Sequence, residues 1–220
     1  IIIKESKKYP EKIIKEYLWY ENCPNEVKKF LPKIYSLDLL KSSIKMEKLL
    51  TPTLRDIYLY LDKSFDTWKI IFSKLNEFIK YCKSTQREGE FWNIIIDKTK
   101  IRSKDEDLFI NIFEQELKKN KLIRKTSFYH GDLVNSNIFY DFQKQSLKFI
   151  DPRGEFFGHW LYDIAKLYQC FYGKYDYIDT NTYYSNNKNV YFYDKGNEGI
   201  LKAFEQNILG KLSNFEIKIV

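Results

Sequence analysis

Apolar positions recur at helical spacing along most of the chain. In EKIIKEYLWYEN, residues Ile13, Ile14, Tyr17, Leu18 and Tyr20 form one stripe, which predicts an amphipathic helix opened by Pro10 and ended by Pro24. From Thr53 the pattern returns in LRDIYLYL, FDTWKIIFSKLNEFIKYCKS and DEDLFINIFEQELKKN, with Ser64 placed to cap the second of these. LYDIAKLYQCFYG and EGILKAFEQNILGKL add two further helices. Strand-like runs are shorter: IIIK at residues 1–4, Lys33 to Leu37, Ser43 to Glu47, and the pair NIFYD and SLKFID joined by FQKQ, which reads as a β-hairpin. The stretch 85–104 is polar and irregular at its ends. Residues 174–198 read as a long loop, and the closing FEIKIV as a strand or the start of an unfinished element. The pattern predicts an α+β chain: a small strand-containing N-terminal piece, a short connector, and a mainly helical body with one embedded hairpin.

Length and composition narrow the class without naming it. A chain of 220 residues, 44% apolar and 30% charged, can bury a proper core as one domain or two small lobes. Aromatics reach 18%, but no RNP-like or zinc-finger spacing accompanies them, so nucleic-acid binding is not expected. The net charge of +7 suits polyanionic partners, although the lysines are scattered and read mostly as solvated faces. Cys23, Cys82 and Cys170 are odd in number and lack CxxC spacing, which argues against a disulfide scaffold or zinc site and for a reducing compartment, the cytoplasm. No apolar run approaches the roughly 18 residues of a membrane span, and no signal peptide is visible, so membrane insertion is not expected. The chain begins Ile-Ile-Ile without a Met and reads as a possible piece of a longer protein, with room for a fused or neighbouring domain.

The candidate chemistry lies in SFYHGDLVNSNIFYDFQKQSLKFIDPRG, residues 127–154. Phosphoryl transfer from ATP needs one carboxylate beside the attacking hydroxyl and hard oxygen ligands that hold Mg²⁺ against the phosphates. Asp132 suits the first role. Asn137 offers a neutral oxygen at the start of the hairpin and Asp151 a charged one at its end, and a hairpin brings its two ends together. Taken singly, each of the three reads better as a turn or capping residue.

Together they resemble a known group. His130-Gly131-Asp132-x4-Asn137, followed by a strand-borne Ile150-Asp151, is similar to the catalytic loop and metal-binding aspartate of the aminoglycoside phosphotransferase and choline kinase group. A further segment, Gly158-His159-Trp-Leu-Tyr-Asp163-Ile-Ala, follows that group's GD-x4-D-[LI]-A pattern with His159 in place of the first Asp. Pro152-Arg153 stands where many relatives carry Phe-Gly or Phe-Glu. The wording IDPRG and YDIAKLY resembles the branch found in bacterial capsule and surface-polysaccharide loci.

The resemblance implies a protein-kinase-like two-lobed fold, with residues 1–49 a truncated, strand-containing N-lobe plus hinge and residues 50–220 a helical C-lobe. It implies ATP and Mg²⁺ as cofactors and, as acceptor, the hydroxyl of a small molecule such as a sugar, an amino alcohol or a polysaccharide precursor. Asp132 then orients the hydroxyl, His130 supports the loop by packing and hydrogen bonding, Asn137 and Asp151 hold the metal, and Asp163 is a structural carboxylate for the catalytic loop. Lys4 contacts the phosphates with Glu16 as its ion-pair partner, Glu21 being a competitor, and Met46, Glu47, Lys48 and Leu49 form the hinge that meets adenine. Arg153 is open between an anion contact and an ordinary ion pair. His159 has no partner at metal-ligand spacing. Almost nothing precedes Lys4, so the glycine-rich phosphate loop is missing from this stretch. A non-catalytic, pseudokinase-like binding module and an aminoglycoside-resistance phosphotransferase therefore stand as alternatives.

Overall fold

The computed structural model describes residues 1–61, 64–102, 107–186, 188–193 and 196–220. It opens with strand β1 (Ile2–Glu5), helix α1 (Pro10–Asn22), a single turn α2 (Asn25–Lys28), and strands β2 (Ile34–Asp38) and β3 (Ser43–Met46). These strands form one antiparallel sheet in the order β1-β3-β2, so β3 is central and supplies the partner that IIIK needs. Pro10 occupies the first turn of α1, where its missing N–H costs nothing. Ile13, Glu16, Trp19 and Tyr20 face inward at spacings of three and four.

Residues 47–53 lead from this sheet into α3 (Leu54–Tyr60) and the long α4 (Phe65–Ser84). Thr53 and Asp56 close a capping box on α3, and the Ser64 hydroxyl accepts the Thr67 N–H at the start of α4. On α4, Trp68, Ile71, Phe72, Leu75, Phe78, Ile79 and Cys82 make a continuous buried stripe through the body. Strand β4 (Arg87–Glu88), α5 (Phe91–Arg102) and α6 (Asp107–Lys119) follow, so the stretch 85–104 is largely helical. Then come β5 (Lys125–Phe128), the hairpin β6 (Ile138–Asp141) and β7 (Ser146–Phe149), the short β8 (Phe157–Gly158), and α7 (Trp160–Phe171).

Two expectations fail after α7. Residues 174–198 carry a short α8 (Tyr175–Asp179) and a hairpin of β9 (Tyr183–Ser185) with β10 (Val190–Phe192), where a loop was expected. The Asn186 side chain accepts the N–H groups of Lys188 and Asn189 and so closes that turn. After α9 (Glu198–Asn207) and a 3₁₀ turn, FEIKIV falls in helix α10 (Asn214–Ile219), where a strand or the start of an unfinished element was expected. Glu216 accepts from the Ser213 N–H, and this box sets the helix in place of the alternating pattern.

All four tryptophans and a set of phenylalanines and tyrosines go into the core. Trp19 stacks on Phe128 at 5.3 Å and Phe30 on Phe149 at 5.3 Å, while Phe78 meets Phe149 edge-on at 4.9 Å. These contacts fasten α1 to β5, and both α4 and the segment after α2 to the β6–β7 hairpin. The Phe149 N–H donates to Phe30 O, and Lys148 Nζ to Leu31 O. The opposite side of the hairpin is held by the Tyr140 N–H donating to Pro52 O and by an isolated bridge between Thr53 and Phe139.

Candidate active site

Strand β5 delivers the chain to Tyr129, His130, Gly131 and Asp132 under the aromatic cluster. Gly131 has φ +86°, and a Cβ there would lie 2.6 Å from Arg153 Cβ, so a side chain is excluded by both conformation and space. The backbone is clamped by Asp163 from the first turn of α7: its two carboxylate oxygens accept the His130 N–H at 2.7 Å and the Gly131 N–H at 2.8 Å. Asp163 is buried, and burial raises its carboxyl to about 7 against the pull of those two N–H groups.

His130 is fully buried between Trp19 and Phe149, and burial lowers its imidazole to about 4, so the ring is neutral at pH 7. Its Nδ1 accepts the Asp132 N–H at 3.3 Å, and its carbonyl accepts the Arg153 N–H at 2.9 Å. His130 thus packs and hydrogen-bonds within the loop and does not face the cleft.

Asn137, at the foot of β6, turns its Nδ2 to Asp132, donating to the backbone O at 3.0 Å and to Oδ2 at 3.2 Å. Its amide oxygen is left for another ligand. The Ile150 N–H donates to Asn137 O at 2.9 Å, which brings the two ends of the hairpin together as a hairpin must. Asp151 follows with φ +59°, a left-handed conformation uncommon for a residue with a side chain. Its N–H donates to the Tyr20 hydroxyl at 3.1 Å, and Gly154 at φ +89° lets the next turn lie against Lys15 of α1, where a Cβ would come within 2.8 Å of another. The strained turn is therefore held from both sides.

Lys4 Nζ lies 2.6 Å from Glu16 Oε2 and 2.6 Å from Asp151 Oδ1, joining β1, α1 and the hairpin end at one point. Burial alone would lower the Lys4 ammonium, but Glu16 and Asp151 outweigh it and hold it above its ordinary range. Glu16 is buried on the inward face of α1, whereas Glu21 is exposed and takes no part. Met46 is buried at the end of β3, and the Glu47 N–H donates to Lys33 O at 2.8 Å, which leaves Lys48 and Leu49 on the connector with their N–H groups outside the sheet. Glu47, Lys48 and Leu49 line a separate hollow of about 300 Å³ with Phe139 and Lys148 of the hairpin.

Lys4, Glu16, Asp132 and Asp151 open on a cleft of about 760 Å³ between the sheet end and the helical body. Its lining also includes Arg153, Tyr162 and Lys166. Lys166 Nζ sits 3.3 Å from Asp132 Oδ1, a contact that sequence reasoning missed. The available signal was position: Lys166 lies three residues after Asp163 and four after Tyr162 on α7, hence on the same face. His159 is the N-cap of α7, its Nδ1 accepting the Leu161 N–H, and it lies buried against Trp92 and Trp160 away from this cleft.

The donor set suits a hard cation. Among the described residues no group of three or more His, Cys, Asp or Glu could hold a metal, but Mg²⁺ takes only one or two protein oxygens when phosphates and waters complete its shell. The Asn137 amide oxygen and the half-exposed Asp151 carboxylate answer that description.

No protein-family model matches the chain, and no curated protein matches it in sequence. Solved structures do match. Choline kinase LicA from Streptococcus pneumoniae superposes with a TM-score of 0.53 at 16% identity, covering 99% of this chain and 82% of that one. A protein provisionally named an aminoglycoside phosphotransferase, from Ralstonia eutropha JMP134, gives 0.55 at 17% identity, covering 96% of this chain and 69% of that one. The chain has the fold of the aminoglycoside phosphotransferase and choline kinase group.

Proposed function

We propose that the protein is an ATP- and Mg²⁺-dependent phosphotransferase acting on a hydroxyl of a small molecule. The observation that carries this reading is the convergence on one cleft of the Lys4–Glu16 pair, Asp151, and the Asn137-braced Asp132. The fold likeness to a choline kinase supports the reaction class. In this reading residues 1–49 grip the nucleotide and residues 50–220 present the acceptor.

Asp132, oriented by Asn137 Nδ2, accepts the proton of the acceptor hydroxyl as its oxygen bonds the γ-phosphorus. The bond from that phosphorus to the β–γ bridging oxygen breaks, and its electron pair leaves with ADP. Asn137 and Asp151 would hold Mg²⁺, which when bound supplies positive charge to the phosphate oxygens. Lys4, steadied by Glu16, faces the remaining phosphate charge. His130 and Asp163 touch no reacting atom; they fix the loop that carries Asp132. The backbone of Met46 to Leu49 would meet adenine.

The stretches IDPRG and YDIAKLY support a narrower place among surface-polysaccharide kinases. Three buried cysteines, none in a disulfide, fit a nucleotide-dependent enzyme in the cytoplasm.

Calorimetric titration with nucleotide and a coupled ADP-release assay test the reading together. Asp132→Ala is expected to lower turnover by about 10²–10⁴-fold with nucleotide affinity kept. Asp151→Ala is expected to lose the Mg²⁺-dependent part of nucleotide binding. Undiminished turnover in both variants would refute the assignment, and absence of nucleotide binding would favour a binding module.

A further inference from the structure

The wall of the cleft beside Asp132 carries two cations, Arg153 and Lys166, with one further carboxylate, Glu155, next to Arg153, and its construction bears on the acceptor. Arg153 and Lys166 flank the same ring: Arg153 Cζ and Lys166 Nζ each lie 5.8 Å from the centroid of Tyr162. Arg153 is held at its backbone by the His130 carbonyl and at its Cβ by close packing on Gly131, so its side chain springs from the wall of the loop that carries Asp132. Its Nη1 makes only a long bond of 3.4 Å to the Tyr162 hydroxyl, and its Nε pairs with the half-exposed Glu155 at 3.3 Å. Nη2 has no partner among the described residues, and Lys166 pairs only with Asp132. Both side chains line the cleft with 26% of their surface exposed, within reach of a bound acceptor.

A cationic acceptor meets this wall badly. To bring its hydroxyl to Asp132 it must approach two positive groups, and the nearby ring of Tyr162 already has both of those cations within 5.8 Å of its centroid. A neutral acceptor would leave both cations as they are. An acceptor with a carboxylate or phosphate could take the open edge of the Arg153 guanidinium and the Lys166 ammonium, drawing Lys166 off Asp132 and freeing that carboxylate for the hydroxyl.

We propose that the acceptor is an anionic polyol, bearing a carboxylate or a phosphate that Arg153 and Lys166 bind beside Tyr162 while its hydroxyl faces Asp132. This rests on the phosphotransferase reading and narrows its substrate class. Arg153 and Lys166 are thereby specificity-determining residues.

The test reads binding before turnover. Protein containing ADP and Mg²⁺ is titrated calorimetrically with D-gluconate, glycerol 3-phosphate, D-glucose and choline. At least one of the two anions is expected to bind about tenfold or more tightly than D-glucose, as charge-assisted hydrogen bonds imply. Whichever anion binds better tells carboxylate from phosphate. Arg153→Gln and Lys166→Gln are each expected to weaken that anion by about tenfold, and Arg153→Lys to recover part of the loss. Equal affinity for D-glucose and both anions, tighter binding of choline, or no binding of either anion overturns the proposal. A separate titration with ADP and Mg²⁺ alone isolates the premise. Nucleotide binding without the anion preference sinks only the substrate class, whereas failure to bind nucleotide sinks the phosphotransferase reading.

Discussion

Lys4 is held between two carboxylates that come from different parts of the chain, and the two contacts have different standing. Glu16 is buried, so removing its cation leaves a charge with little water to receive it, while Asp151 can turn to solvent or to a metal. A double-mutant cycle on Lys4→Met and Glu16→Gln, followed by urea denaturation, is expected to give a coupling of about 1–2 kcal/mol. Additivity within about 0.3 kcal/mol would mean that the pair is only a surface contact. The choice of Glu16 over Glu21 was legible in the helical phase, because Glu16 falls three after Ile13 and four before Tyr20 on the buried stripe. Asp132, Asn137 and Asp151 were legible because their spacing is local to one loop and one hairpin. Lys166 was not, since in a chain with 37 Lys and Arg nothing local separates it from a solvated lysine until the helix brings it to Asp132.

At the scale of elements, helices with long apolar stripes declared themselves and short elements did not. FEIKIV alternates like a strand, yet SNFE just before and within it is a capping signature, and one capped turn with Lys83 paired to Glu216 decides for helix. In the tyrosine-rich segment, YYS and VYF around an asparagine cluster carried a hairpin signal hidden by composition. Caps also position the site. Thr53 starts α3 and bridges Phe139, so it ties the connector to the hairpin that bears Asn137 and Asp151. Its hydroxyl accepts the Asp56 N–H at 3.1 Å, while the Asp56 carboxylate accepts the Thr53 N–H at 2.9 Å. Thr53→Ala is expected to cost about 1 kcal/mol in denaturant unfolding, and Thr53→Ser to restore most of it. An unchanged midpoint in Thr53→Ala would show that the bridge alone fixes the start of α3.

Across the whole molecule, the two histidines of the chain are both buried and both neutral, one in the loop that carries Asp132 and one at the start of α7. Burial lowers His130 to about 4 and His159 to about 3, from an ordinary 6.5. A depressed folded-state value means that the unfolded chain takes up the proton first. The stability each histidine contributes is therefore complete above pH 6.5 and drains away as pH falls toward 4 or 3. Asp163 works in the opposite sense. Its carboxyl is raised by burial to about 7, so its contribution is complete below 3.8 and lost as pH rises through 7. Over pH 6 to 4.5 the two histidines outweigh the one carboxyl, by about 1.4 kcal/mol per pH unit from these three groups. Other carboxylates add their own slopes, so the informative quantity is a difference between variants. His159→Asn keeps an N-cap acceptor for the Leu161 N–H and removes one titration. Urea unfolding at pH 6.0, 5.25 and 4.5 is expected to show a stability slope shallower than that of the unaltered protein by about 1.4 kcal/mol per pH unit. Parallel slopes would mean that His159 is protonated in the folded state and has given up the Leu161 N–H that its Nδ1 accepts.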